Sequence, residues 1–328
     1  MTILKTVLRY AVTLLIASII IFVLIRVIPG DPAAIALGVT ATPEAIAELQ
    51  AQLGTDQSLI SQYFTWISGM LTGSFGTSLS SGQDISPLII DRMQVSLILV
   101  GCSIVLSLLI AVPFGVISAR RGGTIISGVS QVGIAIPSFL AGILLVSVFA
   151  VGLGWLPANG WIPPNADFWG FLTRLILPVL ALSAVQAAIL TRYVRSAVMD
   201  VLSADFMRTA RSKGMPINHA LVVHGLRNAA LPVLTVTGLQ LTTLIIGAVV
   251  IEQVFVIPGI GSMLLESVSN RDLPAIQSIV MVLVAFTLVV NFIVDILYQV
   301  IDPRIGLRTQ GSQSPAATAA SLTSQGGL

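Results

Sequence analysis

The residues best suited to specific chemistry lie in one polar segment, 199–232, between two apolar runs in the second half of the chain. Phe206 places an aromatic ring there among small and basic neighbours. A ring flanked by positive charges is typical of a surface that docks another protein, because an apolar anchor supplies affinity and charged groups supply specific contacts. Positive side chains outnumber negative ones in this segment: Arg208, Arg211, Lys213 and Arg227, with only Asp200 and Asp205 against them.

A short helix is predicted to carry this docking surface, and the residue types indicate where this helix begins and ends. Ser203 is a favourable N-cap residue, and Asp205 lies in the first turn, where the helix dipole favours an anion. Gly214 lies where a helix ends. Arg208 and Arg211, three residues apart, then share one helix face and can both contact a carboxylate on a partner.

The sequence lacks the common signatures of an enzymatic site. It contains no Gly-rich phosphate loop ending in Lys-Ser/Thr, no G-x-S-x-G and no H-E-x-x-H. The two histidines, His219 and His224, are five residues apart and have no carboxylate at ligand spacing, so we expect no metal site. Cys102, the one cysteine, lies in an apolar run and is expected to be a packing residue. We therefore predict no catalytic residue and no cofactor in this chain.

The composition predicts an all-α membrane protein. Hydrophobic residues make up 55% of the 328 residues and charged residues only 9%, whereas soluble domains carry about 25% charged residues. Lipid must therefore cover most of the surface. Six apolar stretches reach the roughly 20 residues that a spanning helix needs: 7–28, 95–119, 125–153, 171–194, 231–254 and 275–300. Three of them are predicted to be kinked, at Pro113 with Gly115, at Pro137 and at Pro178.

The distribution of basic residues predicts the orientation, because cytoplasmic loops carry an excess of Lys and Arg. With the N-terminus in the cytoplasm, four of the 16 basic residues lie outside: Arg26, Arg92, Arg174 and Arg271. The other twelve lie inside: Lys5, Arg9, Arg120, Arg121, Arg192, Arg195, Arg208, Arg211, Lys213, Arg227, Arg304 and Arg308. Both termini are therefore predicted to be cytoplasmic, as is the loop 195–230.

The predicted layout divides the chain into four segments: 1–28 with the first span, an external segment 29–94, a five-helix core 95–300 that contains the loop 195–230, and a cytoplasmic tail 301–328. The tail is predicted to be disordered from about residue 309. Thr42 and Pro43 predict the cap and first position of an amphipathic helix in the external segment. Its neighbours Tyr63, Phe64 and Trp66 are expected to pack on the membrane interface or on the bundle. Whether the external segment is a structural lid or a docking surface stays open. The loop 155–169 carries tryptophans typical of an interfacial belt.

The fifth span is predicted to open at Leu231-Pro232, because proline costs little at the start of a helix. Its small and polar side chains can permit close helix packing or line a polar path, and both alternatives stay open: Thr235, Thr237, Gly238, Gln240, Thr242, Thr243 and Gly247. Glu252 and Asp295 lie near span ends and are expected at an interface. An ion-coupled secondary carrier needs more charge within its spans, so we expect the energy source in a partner.

The run FMRTARSKGM (206–215), followed by His224, Arg227-Asn228-Ala229 and Pro232, resembles the cytoplasmic loop signature of importer-type ABC transporter permeases. Within that group the chain is most similar to the first permease subunit of dipeptide, oligopeptide and nickel uptake systems. The further matches to that subfamily are Arg26 to Pro32, Glu252, Phe255, Pro258-Gly259-Ile260-Gly261 and Arg271-Asp272. The general signature begins Glu-Ala-Ala, where this chain has Arg208-Thr209-Ala210.

The resemblance implies a six-helix importer permease whose segment Ser203 to Gly214 is the coupling helix, seated on a cytoplasmic ATPase. The residues assigned to coupling are Ser203, Ala204, Asp205, Phe206, Met207, Arg208, Thr209, Ala210, Arg211 and Gly214. Phe206, flanked by Met207, would anchor the contact. The implied partners are a second homologous permease, two ABC ATPases that hold ATP and Mg²⁺, and an extracytoplasmic substrate-binding protein docked on 29–94 and 258–274. The implied location is the bacterial inner membrane, with no nucleic-acid partner.

Peptides are the expected cargo, although relatives carry dipeptides, longer peptides, nickel chelates, glutathione or heme, and nothing in these residues separates them. The alternative function is an ion-coupled secondary carrier. An intramembrane enzyme would need a Ser-His pair, paired aspartates or zinc ligands at membrane depth. Both histidines are predicted to be cytoplasmic, so that class is excluded.

Overall fold

The computed structural model describes residues 2–27, 31–38, 41–120 and 123–301. Helices dominate these residues. They are α1 (Thr2–Val27), α2 (Pro32–Leu37), α3 (Pro43–Leu53), α4 (Leu59–Thr72), α5 (Ser86–Arg120), α6 (Thr124–Ala135), α7 (Ser138–Leu145), α8 (Phe168–Ser203), α9 (Asp205–Ser212), α10 (Ile217–Ala220), α11 (Leu226–Val254), α12 (Ile260–Ser269) and α13 (Leu273–Ile301). Two π-helical segments, Val146–Gly152 and Leu221–Gly225, continue α7 and α10.

The most extensive helix contact in the described residues is that of α5 with α8, and small side chains on α5 permit it. Ser103, Ser107 and Gly115 share one face of α5 and are buried. The hydroxyl of Ser107 donates to the carbonyl of Ser103 in its own helix at 2.6 Å and also lies 3.2 Å from the carbonyl of Ser183 on α8. A Cβ atom at Gly115 would lie 2.6 Å from Cβ of Val194. Only glycine therefore allows α5 and α8 to approach this closely.

A hydrophobic core beside the C-terminal half of α11 adds this helix to the pair. Leu99 of α5, Leu182 of α8 and the α11 side chains Leu244 and Ile251 are buried together. Phe255, just after α11, closes the cluster and is 1% exposed. In a membrane such contacts stabilise by packing, because the lipid surroundings are as apolar as the core.

The described part of the chain contains five helices long and apolar enough to span a bilayer, and a sixth span if one bent pair is counted. The bent pair joins Gly128–Ala135 to Ser138–Gly152 at an angle of 96°. Pro137 lies at the break, because it lacks the backbone N–H that a continuous helix needs. The predicted interruption at Pro137 is confirmed, while α5 and α8 run through Pro113 and Pro178 as single helices.

The first and last spans pack against each other, and a polar contact joins the N-terminal part of α1 to the C-terminal part of α13. The guanidinium of Arg9 pairs with the carboxylate of Asp295, and the hydroxyl of Tyr10 donates to the same carboxylate at 2.9 Å. Tyr10 also meets the ring of Phe292 edge-on, with centroids 5.5 Å apart. Asp295 is thus a partly exposed structural residue, and its position gives no indication of an ion path.

Several sequence predictions can be compared with these bounds. The amphipathic helix of the external segment is confirmed as α3, with the hydroxyl of Thr42 accepting from the N–H of Ala45 and Pro43 in the first position. The predicted opening of the fifth span at Pro232 is wrong: α11 begins at Leu226, so Pro232 lies inside the helix. Residue 28 and the tail 302–328 lie outside the described residues.

The α5–α8 contact yields a prediction with a matched control on the same helix. Gly115→Ala should destabilise the chain by about 1–3 kcal/mol, because the added methyl group overlaps Val194. Gly101→Ala should leave stability unchanged or raise it, since no atom lies within 4 Å of a Cβ there. Thermal unfolding in lipid nanodiscs measures both, and equal melting temperatures would contradict the assigned contact.

Candidate coupling helix and outer clamp

The predicted docking helix exists as α9, but it begins differently from the prediction. Ser203 ends α8, and its hydroxyl donates to the backbone carbonyl of Asp200 at 2.8 Å. The predicted N-cap role of Ser203 is therefore wrong, because α8 continues to Ser203, nine residues beyond the predicted span 171–194. Ala204 is the extended residue between the helices, and its carbonyl accepts from the N–H of Met207 at 3.0 Å. Asp205 occupies the first turn, as predicted.

The end of α9 at Gly214 is confirmed. Gly214 has a φ of 82°, a left-handed conformation that glycine adopts without strain. Its N–H donates to the carbonyl of Arg211 at 2.9 Å, and the N–H of Met215 donates to the carbonyl of Ala210 at 3.2 Å. These two bonds form a Schellman motif, which satisfies the last carbonyls of α9 and turns the chain toward α10.

One face of α9 packs on the transmembrane bundle. Met207 is 1% exposed and Ala210 is also buried. They join a cluster built from the C-terminal end of α8, α10 with the π segment after it, and the start of α11: Val194, Ala197, Val198, Val201, Ala220, Leu221 and Ala229. Met207 is therefore the attachment of α9 to its own bundle, and its predicted position beside Phe206 on the docking surface is wrong.

The rest of the α9 surface is open. Phe206 is 41% exposed, and Arg208 and Arg211 are exposed as well. Arg208 approaches Asp205 at 3.8 Å, but their side chains are 78% and 98% exposed, so water screens this pair. The arrangement offers one aromatic ring and two guanidinium groups on a helix held from behind. Such a surface can bind a groove that is apolar at its centre and acidic at its rim.

The remaining loop-signature residues lie where α10 runs into α11 through the π segment. His224 and Arg227 are exposed. Asn228 donates from its side-chain amide to the backbone carbonyl of His224 at 2.8 Å, next to the irregular turn. Pro232 removes one further backbone donor inside α11. A π turn and an internal proline both interrupt regular hydrogen bonding, so this junction is the least regular part of the coupling region.

The polar residues predicted to line a pore do not share one environment. Thr235 and Thr243 lie on the exposed face of α11, a face shared with Leu239, Ile246 and Val250. Gln240, Thr242 and Gly247 are half-buried. Gly238 is buried against α13, where an added Cβ would lie 2.5 Å from a methyl group of Val294. Of the two alternatives for these residues, close helix packing and pore lining, Gly238 therefore fits close helix packing.

At the C-terminal end of α11, Glu252 joins three helices. It lies near the end of the span, as predicted, and is 1% exposed. Its carboxylate accepts from the hydroxyl of Ser96 on α5 at 2.5 Å and from the N–H of Ser262 on α12 at 2.9 Å. Ser96 in turn accepts from the N–H of Ile260 at 2.9 Å. Gly259 is required beside them, because a Cβ there would lie 2.1 Å from Cδ of Glu252.

A second buried carboxylate attaches the external segment to this region. Asp272 is 3% exposed and accepts from the N–H of Ala275 at 3.3 Å, which caps the start of α13. It also accepts from the hydroxyl of Ser78, from the N–H of Leu79 at 3.1 Å and from the hydroxyl of Ser80 at 3.3 Å. The bonds of Asp272 and Glu252, which we call the outer clamp, hold the external segment, α5, α11, α12 and α13 together.

Beside the outer clamp lies an open cavity of about 490 Å³ between the turn 78–84, the start of α5 and α12. Its lining includes Asp84, Asp91, Arg92 and Glu266. The hydroxyl and N–H of Ser86 both donate to Asp84, at 2.6 and 2.9 Å, and these bonds lower the pKa of that carboxyl below its ordinary value. The cavity is therefore a polar outer surface formed jointly by the two segments on either side of the outer clamp.

Comparison with known proteins identifies the family. The model of the family described as binding-protein-dependent transport system inner membrane component matches residues 111–307. The corresponding N-terminal model of these membrane components matches residues 1–100. The chain belongs to this family. It is a multi-pass inner membrane protein and a permease component of ABC importers, which is not itself catalytic.

Individual relatives agree with the family. The chain is 40% identical over 295 residues to the oligopeptide transport system permease protein AppB of Bacillus subtilis, covering 88% of this chain and 93% of AppB. It is 39% identical over 311 residues to the glutathione transport system permease protein GsiC of Salmonella typhimurium, covering 92% and 98%. A probable peptide ABC transporter permease of Sinorhizobium fredii is 37% identical over 292 residues, covering 88% and 93%.

Sequence reasoning missed the roles of Glu252, Ser96 and Asp272. A signal was present for Asp272, since aspartate before Leu273-Pro274 is a typical helix start. No comparable signal marks Glu252, because its partners are 156 and 10 residues away along the chain.

The outer clamp generates a stability prediction. Glu252→Gln should destabilise the chain by about 1–3 kcal/mol, because an amide offers one acceptor oxygen where the carboxylate uses two. Glu266→Gln, the same change at an exposed site on α12, should leave stability unchanged. Thermal unfolding in nanodiscs compares them, and an unchanged Glu252→Gln variant would remove Glu252 from the outer clamp.

Proposed function

We propose that this chain forms half of the translocation pore of an ATP-driven importer of di- or oligopeptides and receives the driving motion through α9. The observation that carries the proposal is that one side of α9 is buried while another is exposed: Met207 is 1% exposed and Phe206 is 41% exposed. One face is fixed to the bundle, and the other presents an aromatic and basic surface outside it. This is the form that a mechanical link to a partner requires.

The route of the motion follows from the packing of α9. Met207 and Ala210 lie against the inner ends of α8 and α11. A partner that displaces α9 must therefore also displace these two helix ends, because packed side chains transmit movement without much compression. Together α8 and α11 carry much of the outer core. Displacement at the inner end then exchanges an inward-open for an outward-open arrangement.

The partners of this machine are two cytoplasmic ABC ATPases, a second homologous permease and an extracytoplasmic substrate-binding protein. The ATPases hold ATP and Mg²⁺, and this chain supplies no nucleotide site of its own. The family description, which names dependence on a binding protein, supports the last of these partners. The exposed face of α11 that contains Thr235 and Thr243 is assigned to the pore and the second permease.

The binding protein is proposed to dock on the outer surface formed by 29–94 and 258–274. The support is that Asp272 attaches these two segments to each other, so that they move as one surface. Peptide cargo is supported by relatives named for oligopeptide, peptide and glutathione transport. The comparisons support this importer and give no support to the ion-coupled carrier.

Two neighbouring residues test the coupling role. Phe206→Ala should cost about 2 kcal/mol or more of docking free energy, roughly a thirtyfold loss of ATPase affinity, while stability and membrane insertion stay unchanged. Met207→Ala should instead lower the stability of the chain by about 2–5 kcal/mol, because a buried side chain is lost. Substrate-stimulated ATP hydrolysis and thermal unfolding of reconstituted importer separate the two effects. Normal coupling in Phe206→Ala would remove Phe206 from the docking surface.

The proposed orientation has its own test. Green fluorescent protein fused after Leu328 should fluoresce, and alkaline phosphatase fused at the same position should be inactive, because both termini are proposed to be cytoplasmic. An active phosphatase fusion would reverse the orientation and place α9 on the wrong side for an ATPase.

A further inference from the structure

Helix α4 of the external segment has three distinct faces. Tyr63 and Trp66 lie on the face that packs against α1. A second face is exposed and apolar: Ile60, Phe64 and Leu71 are 71%, 62% and 83% exposed and are spaced by four and seven residues, as on one side of a helix. The third face is exposed and carries hydroxyl groups: Ser61, Thr65, Ser68 and Thr72.

Contacts with α1 determine the depth of α4. The hydroxyls of Ser18 and Tyr63 are 2.8 Å apart, and the ring of Phe22 meets Tyr63 and Trp66 with centroids 5.4 and 6.1 Å apart. Ser18 is nine residues before Val27, the outer end of α1, which is about 13 Å at 1.5 Å per residue. One leaflet contributes roughly 15 Å of hydrocarbon. α4 is therefore attached to the part of α1 that crosses the outer leaflet.

We propose that α4 lies in the outer leaflet of the membrane, with its Ile60–Phe64–Leu71 face covered by phospholipid acyl chains. None of its 14 residues is charged, as expected for a helix in contact with hydrocarbon. The adjacent hydroxyl face suits the headgroup region, where Ser and Thr can bond to water and phosphate. Lipid is the favoured occupant because α1, the helix beneath α4, is peripheral, with only 17% of its span buried in the chain.

This inference divides the external segment into two parts. α3, with Glu44 and Glu48 on its surface, belongs to the water phase. α4 is instead an interfacial anchor, which holds the outer end of α1 and limits how far the segment can move from the membrane. The inference is independent of cargo and of the proposed coupling through α9.

Fluorescence quenching in the assembled importer tests the location of α4. Cys102→Ser removes the native thiol. Phe64→Cys then carries an environment-sensitive fluorophore in liposomes that contain phosphatidylcholine with a nitroxide on the acyl chain. Ile16→Cys, exposed in the middle of α1, is the lipid control, and Ser68→Cys, on the hydroxyl face of α4, is the water control.

The acyl-chain nitroxide should quench the probe at position 64 nearly as strongly as the probe at position 16, and far more strongly than the probe at position 68. A membrane-impermeant maleimide should label Phe64→Cys about tenfold more slowly than Ser68→Cys, because apolar surroundings disfavour the reactive thiolate. Leu71→Cys repeats the measurement should Phe64→Cys assemble poorly. Fast maleimide labelling at both 64 and 71 would overturn the proposal, and so would slow labelling without lipid quenching, which indicates a protein cover.

Discussion

The proposed coupling role of this chain depends on the burial of Met207. A helix at the cytoplasmic surface can transmit force only if one of its faces is attached to the bundle and another is free to bind. α9 meets both conditions within consecutive residues, because Met207 enters the cluster with Val201 and Leu221 while Phe206 stays exposed. The Schellman motif at Gly214 then returns the chain to α10 and α11, so α9 is supported from both of its ends.

Helix α11 is also attached to the rest of the bundle, at its two ends and by different interactions. Its inner end packs in the Met207 cluster through Ala229, and its outer end carries Glu252 of the outer clamp. Pro232 lies between them, and the π segment Leu221–Gly225 directly precedes the helix, so backbone hydrogen bonding is irregular near its N-terminal end. A helix attached at both ends and irregular near one of them can change direction there while its outer contacts persist. In the proposed motion, the close contact of α5 with α8 is the rigid support.

The features that were predicted from the sequence are those carried by local patterns. Spanning helices follow from runs of apolar residues, α3 follows from Thr42 and Pro43, and the end of α9 follows from Gly214. The failures arise from tertiary contacts. Ser203 is a sound cap by type, but α8 continues through it because Val201 is buried against α9 and α11. Met207 appeared to be a neighbour of Phe206 on one surface, yet consecutive helical residues point about 100° apart.

Long-range polar contacts could not be predicted from local sequence patterns. Ser96 and Glu252 are 156 residues apart, and Ser78 and Asp272 are 194 apart, so no periodicity connects them. Such pairs become visible only when the helices are placed side by side. The apolar face of α4 is similar: its residue types were apparent, but its depth depends on the contact between Ser18 and Tyr63.

The most direct measurement of the central claim is purification of this chain at native expression in a mild detergent, followed by quantitative mass spectrometry of the proteins that stay bound. The account predicts two P-loop ATPase subunits and one further six-span permease for each copy of this chain, with release of the ATPases from the Phe206→Ala variant. Recovery of the chain alone, in a form that transports without ATP, would contradict the account.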